Sequence, residues 1–167
     1  MSTQTTVTGR LLTNPKRFFA GEDNDYGKYI YSAQIVLDDA SVTKLEKARE
    51  ATIAEIWEGK PMPSSANDYV IREGDDEEYE GTFGKKFIIA KKQDGAPKVI
   101  RKVNGKMEPV SAEDGIFYTG CDVALSVDVY GSKGNKAKKI PAYLTVGLRG
   151  VMFLRDNTPI GNVVNAE

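Results

Sequence analysis

The sequence contains no histidine and only one cysteine, Cys121. The absence of histidine excludes the usual general base, the Ser-His-Asp and Cys-His arrangements and most zinc sites. A single cysteine excludes an internal disulfide and a cysteine metal cluster, and its place at the start of a predicted strand indicates a buried, inert thiol. We therefore expect no catalytic residue, no metal, no cofactor and no enzymatic activity.

Long apolar segments are also absent. No apolar run approaches the ~20 residues that span a bilayer, and the N-terminal residues MSTQTTVTGR lack the apolar region of a signal peptide. We therefore expect a cytoplasmic protein with no membrane partner. A length of 167 residues predicts one domain, 1–167, with a substantial buried core.

The net charge is only −1, but the charges are unevenly distributed. Residues 20–80 contain 16 acidic and 6 basic side chains, whereas residues 81–106 contain 8 basic side chains and one acidic one, Asp94. Residues 131–155 add 6 basic side chains and no acid. Such separation favours a polyanionic partner, although solvated faces can also produce it by chance.

Two segments, 122–130 and 143–149, alternate between apolar and polar residues, as half-buried strands do. The predicted core positions are Val123, Leu125, Val127, Val129, Leu144, Val146 and Leu148. Tyr130 and Tyr143 fall on the opposite, polar faces, at the two ends of a flexible loop that contains Lys133, Lys136, Lys138 and Lys139. Exposed rings can stack on unpaired bases, and lysines can neutralise phosphates, although a solvated hairpin tip has the same composition.

The remaining pattern predicts strands over residues 5–13, 27–37, 83–92 and 98–103. In the second of these strands Tyr29 and Tyr31 are in phase with apolar residues and are expected in the core. Residues 41–58 show the three- and four-residue spacing of an amphipathic helix, with Asp38, Asp39 or Ser41 as its cap and Trp57 at the edge of the core. The helix should cover one open end of a barrel.

Three features leave alternatives open. One of Phe18 and Phe19 should fill the core, and Phe19, beside Lys16 and Arg17, could pack there or stack on a base. The phase of the strand over 83–92 is ambiguous. Either Phe87, Ile89 and Lys91 share a face, or Lys86, Ile88, Ala90 and Lys92 do. Residues 59–80 form an acidic loop insertion that we interpret as solvated, because consecutive carboxylates point in different directions and do not make a good cation site.

Five or six strands with one helix are typical of a mainly β, OB-fold-like Greek-key barrel, whose open face binds single strands. The segments YSAQIVL, EYEGTFGKKFIIAKKQDGAPKVI and GIFYTGCDVALSVDVYGSKGNK, with the closing RDNTPIG, resemble those of the tailed-phage replicative single-stranded-DNA-binding proteins. The resemblance covers roughly residues 7–161. It implies sequence-non-specific coating of single-stranded DNA during phage replication and recombination, without chemistry.

The candidate site residues combine the pattern and the resemblance. The stacking candidates are Tyr130, Tyr143, Phe83 and Phe19. The phosphate-binding candidates are Lys85, Lys86, Lys91, Lys92, Lys98, Arg101, Lys133, Lys136, Lys138, Lys139 and Arg149. The proteins of the resembling family commonly end in an acidic tail that recruits replication proteins. Residues 156–167 form a polar extension without such a tail. We therefore expect either that the tail has been removed from this sequence or that this protein works without one.

Two other functions remain open at this stage. A phage structural or adaptor β-barrel would explain the fold but not the basic segments, and a metal-dependent nuclease would have to use the acidic loop. Exposed edge strands would permit a homodimer as well as a monomer.

Overall fold

The computed structural model describes residues 2–23, 29–74 and 85–160, and the following statements concern these residues. They form ten strands, two α-helices and one 3-10 turn. In chain order the elements are β1 (Ser2–Leu11), α1 (Lys16–Phe19), β2 (Glu22–Asp23), β3 (Tyr29–Leu37), α2 (Asp39–Ile56), β4 (Asn67–Asp68), β5 (Arg72–Glu73), β6 (Lys86–Lys92), β7 (Lys98–Val103), β8 (Lys106–Pro109), the turn (Ala112–Asp114), β9 (Asp122–Ser132) and β10 (Tyr143–Arg155).

Five of the strands close into a barrel. Strands β6, β3, β1, β9 and β10 pair in that order as antiparallel neighbours, and a parallel pairing of Gly147 in β10 with Lys91 in β6 completes the ring. The free edge of β10 is divided: β4 pairs with its first two residues, and β7 pairs with residues 150–153. The predicted mainly β, OB-fold-like barrel is confirmed.

The core is built from alternate residues of the barrel strands, as predicted for the longest two. In β9 the side chains of Val123, Leu125, Val127 and Val129 are fully buried, and in β10 Leu144, Val146 and Leu148 are buried. A bulge between Leu148 and Gly150 then shifts the register of β10 against β9. The extra residue keeps Val151 buried and leaves Arg149 exposed.

Helix α2 begins at a side-chain cap and packs on the strand pair β1 and β9. The Asp38 carboxylate accepts a hydrogen bond from the Ser41 N–H at 2.8 Å. Desolvation raises the pKa of this carboxyl group, but hydrogen bonds from the Thr8 and Ser41 hydroxyls and the Ser41 N–H outweigh it, so the pKa lies below its usual value. The predicted cap is thus confirmed, and the helix spans 39–56 rather than 41–58.

The inward face of α2 includes a polar residue that the apolar pattern omits. Thr52 is fully buried, and its hydroxyl lies 2.8 Å from the Ala48 carbonyl and 3.2 Å from the Val129 carbonyl of β9. The hydroxyl therefore ties the helix to the barrel without leaving a buried donor unpaired. Trp57 packs half-buried against the core, as predicted.

Phe18 is the phenylalanine that fills the core, because its ring is fully buried. Its neighbour Phe19 is partly buried and lies 5.1 Å from Phe18 and 5.8 Å from Phe117 between ring centroids. Phe117 in turn contacts Phe153 edge to face, at 5.7 Å. The four rings form an aromatic cluster at one end of the barrel.

Several predictions about local structure were wrong. Tyr29 was expected in the core but is 59% exposed, since it opens β3 and pairs only with the two-residue strand β2. Within residues 59–80, predicted as an acidic loop insertion, the structure has the two-residue strands β4 and β5. Strand β8 was not predicted, although Asn104 and Gly105, both with positive φ, make the tight turn that joins it to β7.

Two further points concern the basic segments. In β6 Ile88 and Ala90 belong to the core cluster and Lys91 is exposed, although Phe87, from the other predicted set, is buried as well. The loop between β9 and β10 was predicted to be flexible, but Asn135 and Ile140 exchange two backbone hydrogen bonds, at 2.7 and 2.9 Å, that close it into a compact turn.

Residues 156–160 are fastened to the barrel rather than loose. The Tyr118 hydroxyl lies 2.9 Å from Asp156 Oδ1 and from the Asn157 carbonyl, and the Ile160 N–H donates to the Thr119 carbonyl at 2.9 Å. The acidic run 75–80, Phe83 and the last residues, 161–167, lie outside the described part of the chain. Predictions about them are not addressed by the structure.

Two further observations hold for residues 2–23, 29–74 and 85–160. Neither helix there combines the length and the apolar character that crossing a membrane requires. No group of three or more acidic or cysteine side chains is arranged to hold a metal ion.

Candidate nucleic-acid interface

The outer faces of β9 and β10 form the floor of an open cleft of about 1260 Å³. The outward residues predicted from the alternation lie along it, among them Ser126 and Asp128 in β9 and Thr145 in β10. The end of β6 and the following residues as far as Lys98 form one wall. The same alternation that builds the core thus builds the cleft on the other side of the strands.

Tyr130 and Tyr143 contact each other in this cleft. Their ring centroids are 6.5 Å apart with an interplanar angle of 84°, and Tyr130 is 38% exposed. Tyr130 pairs with Thr145 and Tyr143 with Ser132, so the two rings are diagonal neighbours on adjacent strands. The sequence placed them at opposite ends of a loop, and the strand register brings them together.

A glycine in β10 makes room for the Tyr130 ring. A Cβ atom built on Gly147 would lie 3.1 Å from Cε1 of Tyr130, which is tight packing. Desolvation, together with the neighbouring Tyr143 and Asp128, raises the pKa of the Tyr130 hydroxyl. The phenol is therefore neutral at physiological pH, and its ring presents no negative charge to a polyanion.

Four of the predicted cationic residues line the cleft: Lys91, Lys92, Lys98 and Arg149. Lys92 forms an ion pair with the exposed Asp94, with 3.0 Å between Nζ and Oδ1. Lys91 and Lys98 are exposed, and neither forms an ion pair with another residue in the described ranges. The basic character of this wall follows from the switch in charge after residue 80.

Arg149 sits above a carboxylate on the cleft floor. Its Nη1 atom lies 3.3 Å from Oδ2 of Asp128, and the other carboxylate oxygen of Asp128 is buried with no hydrogen-bond partner among the residues that the structure describes. Arg149 is the extra residue of the bulge in β10, two positions after Gly147, which lies opposite Asp128. Asp128 therefore places a negative charge on the floor of a cleft whose wall carries Lys91, Lys98 and the Lys92–Asp94 pair.

The other predicted site residues do not line the cleft. Phe19 borders a separate groove with Phe117 and Tyr118, and Arg101 lies 3.9 Å from Glu108 on the β7–β8 hairpin. Lys85 and Lys86 lie at the start of β6, away from the cleft. The loop lysines Lys133, Lys136, Lys138 and Lys139 are exposed on the turn between the two tyrosine-bearing strands but contribute nothing to the cleft lining. Phe83 lies outside the described residues.

The structure also places in the cleft residues that sequence reasoning missed. Tyr69 lines it and is 43% exposed, and Ile100 and Met152 add apolar surface at the opposite end. Tyr69 follows the two-residue strand β4 in a segment without periodicity, so no strand pattern indicated its direction. Met152 reaches the outer face only because of the bulge at Arg149.

Comparison with known proteins connects this arrangement to a family. The model of the family described as Enterobacter phage Enc34, ssDNA-binding protein, matches residues 7–167. The chain belongs to this family. The match covers nearly all of the sequence, including both tyrosine-bearing strands.

Individual relatives are more distant. Protein p50 of Acyrthosiphon pisum secondary endosymbiont phage 1 is 28% identical over 168 residues, covering 93% of this chain and 86% of the relative. The single-stranded DNA-binding protein from bacteriophage Enc34 in complex with ssDNA has a TM-score of 0.70 at 18% identity, covering 95% of this chain and 89% of that one. The T7 single-stranded DNA-binding protein gp2.5 has a TM-score of 0.56 at 17% identity, covering 99% and 93%. These structural likenesses show the shared fold.

Proposed function

We propose that this protein coats single-stranded DNA without sequence specificity during phage DNA replication and recombination, and that it acts by binding alone, without catalysis. The observation that carries the proposal is the pair of contacting tyrosines, Tyr130 and Tyr143, on the floor of an open cleft bordered by cations. Rings stack on any base because every base has a π-face, and cations follow the backbone. Membership of a family of phage ssDNA-binding proteins supports the same reading.

The proposal includes a division of roles among the candidate residues. Lys91, Lys98 and Arg149 contact phosphates within the cleft, whereas the lysines of the β9–β10 turn attract the strand from outside it. We propose that residues 1–167 act as one domain in the host cytoplasm, where phage DNA is replicated. The adaptor alternative leaves the tyrosine-lined cleft unexplained.

The first test compares labelled single-stranded and double-stranded oligonucleotides of equal length by fluorescence anisotropy. We expect the single strand to bind much more tightly, because a paired base cannot stack on the tyrosines. Three or four phosphate contacts predict a slope of log K against log salt of roughly −2 to −3, at about −0.7 per phosphate. Equal binding of both forms, or a response to salt that is flat, would contradict the proposal.

The Arg149–Asp128 pair gives a second test, on the electrostatics of the cleft. Arg149→Gln should weaken binding of single-stranded DNA about tenfold, because it removes a phosphate contact and leaves the Asp128 carboxylate unopposed, a change worth ~1.4 kcal/mol. Asp128→Asn should strengthen binding, since it removes a negative charge from the path of the backbone.

The double variant serves as the control for this pair. If the two side chains act on each other, Arg149→Gln should cost less affinity in the Asp128→Asn background than in the wild type. Titration of the four proteins with one oligonucleotide at one salt concentration measures the coupling. Strictly additive effects would show that Arg149 and Asp128 influence DNA independently.

A further inference from the structure

Tyr69 is held rigidly at the end of the cleft by its backbone. Its N–H donates to the Leu144 carbonyl at 2.9 Å, and the Asn67 N–H donates to the Ala142 carbonyl at 2.9 Å. The next residue, Val70, is fully buried and anchors the segment in the core. The exposed ring is thus presented on a fixed support, as a stacking platform has to be.

The strand register puts Tyr69 in line with the tyrosine pair. Strand β4 runs parallel to β10 with Asn67 opposite Tyr143, on the edge of β10 that faces away from β9. Tyr130, Tyr143 and Tyr69 therefore lie on or directly after three neighbouring strands, β9, β10 and β4, and all three line the same cleft. A chain crossing the strands past the first two rings would reach the third.

A cation accompanies the Tyr69 ring. The guanidinium carbon of Arg72 lies 5.5 Å from the ring centroid, within the range of a cation–π contact. The Arg72 Nε atom is buried and has no hydrogen-bond partner within residues 2–23, 29–74 and 85–160. Arg72 packs on the Tyr69 ring, and the 43% exposure of Tyr69 leaves ring surface for a base. Because Nε is buried, a phosphate contact from Arg72 has to come from its Nη groups.

We propose that Tyr69 and Arg72 form an additional nucleotide subsite that extends the path of single-stranded DNA from the Tyr130–Tyr143 pair across β10 to β4. Tyr69 stacks on a base, and Arg72 contacts an adjoining phosphate. The inference rests on the proposed function and goes beyond it by fixing the direction of the strand across the barrel. A purely structural Tyr69, stabilised by Arg72 on the surface, would have no effect on DNA affinity.

The test is a series of labelled oligothymidylates from about 4 to about 16 nucleotides long, the range of site sizes per OB-fold. Tyr69→Leu removes the π-face while keeping apolar bulk, so the variant should fold. We expect it to bind the longest oligonucleotides at least fivefold more weakly than the wild type, the lower end of the loss per stacked base. The loss should shrink for oligonucleotides too short to reach beyond the tyrosine pair.

Tyr29→Leu is the matched control, because Tyr29 is also an exposed tyrosine but does not line the cleft. It should bind every oligonucleotide as the wild type does. If Tyr69→Leu also binds all lengths normally while Tyr130→Ala is impaired, the added subsite is wrong and the proposed function stands. If none of these variants changes affinity, the tyrosine cleft is not the binding site; if the wild type itself binds no oligonucleotide, the proposed function fails.

Two further readouts separate contact from support. Arg72→Gln should lower the slope of log K against log salt by about 0.7, the contribution of one phosphate contact. In protein labelled with 3-fluorotyrosine, the ¹⁹F resonances of Tyr69 and Tyr29 are assigned by their loss in Tyr69→Phe and Tyr29→Phe. When a long oligonucleotide is added, the Tyr69 resonance should shift and the Tyr29 resonance should not. An unchanged salt slope and an unmoved Tyr69 resonance would overturn the inference even if Tyr69→Leu bound more weakly.

Discussion

Replacing both Tyr130 and Tyr143 with alanine should reduce the affinity for single-stranded DNA about a hundredfold. Each stacked base contributes about 1 to 3 kcal/mol, and a factor of one hundred corresponds to ~2.7 kcal/mol. Because the rings contact each other at 6.5 Å, removing one disturbs the other, and the two single substitutions should not sum to the double. Anisotropy titrations of the three variants at one salt concentration measure both effects.

The same substitutions should leave the fold nearly as stable as before. Tyr130 is 38% exposed and lies on the outer face of β9, so its contact with Tyr143 contributes only about 0.5 to 1.5 kcal/mol to the free energy of unfolding. Thermal unfolding followed by circular dichroism provides the measurement. A large loss of stability would mean that the rings serve the core rather than a ligand.

Phenylalanine variants are the matched control for this prediction. Tyr130→Phe and Tyr143→Phe keep the aromatic face and remove only the hydroxyl, so both should bind DNA within about threefold of the wild type if stacking is the source of affinity. A loss as large as that of alanine would instead indicate a hydrogen bond from the hydroxyl to the nucleotide.

The outward direction of these tyrosines could be predicted because β9 and β10 are long and have one buried face. A one-residue slip in either strand would expose residues such as Val127 or Val146, so the period of two determines which side chains face outward. The contact between Tyr130 and Tyr143 could not be predicted, because it depends on the strand register. The role of Gly147, which leaves room for the Tyr130 ring, likewise cannot be read from the sequence before that register is known.

The short strands could not be predicted, because they have too few residues to show an alternating pattern. Strand β4 has two residues, too few for any alternation, and it owes its place to hydrogen bonds with β10 rather than to its own sequence. Tyr69, which follows it, was therefore missed as a cleft residue. The β7–β8 hairpin was missed although Asn104-Gly105 is a strong turn signal, because β8 is exposed along its length and shows no apolar face.

The charge pattern of the sequence indicated two basic segments, and the structure places residues of only the first, 81–106, along the cleft wall. The four loop lysines are close to Tyr130 and Tyr143 along the chain, but the compact turn closed by Asn135 and Ile140 keeps them outside the cleft. Arg149 was identified from its outward phase alone. Its partner Asp128 was not singled out, since a carboxylate on a DNA-facing floor conflicts with simple charge complementarity.

The barrel itself depends on one glycine in β1. Strand β1 pairs with β9 from Ser2 onward, and at Gly9 it also begins to pair with β3. Gly9 therefore lies opposite Val123 of β9 and Leu37 of β3. A Cβ atom at this position would lie 1.8 Å from the carbonyl oxygen of Val36, a backbone atom that cannot move aside on its own. Such close approach of two strands is what a glycine at a barrel corner allows.

Gly9→Ala should therefore lower the free energy of unfolding by about 3 kcal/mol, at the upper end of the usual cost of overpacking. Gly150→Ala is the matched control, because Gly150 also lies in a barrel strand and its added Cβ would lie 3.2 Å from the nearest backbone oxygen, which is tight packing without overlap. Denaturant unfolding should show a much larger loss of stability for Gly9→Ala than for Gly150→Ala. Equal stabilities would mean that β1 and β3 can separate at Gly9 without cost, and the close approach of the two strands at Gly9 would then not be needed to hold β9 in the barrel.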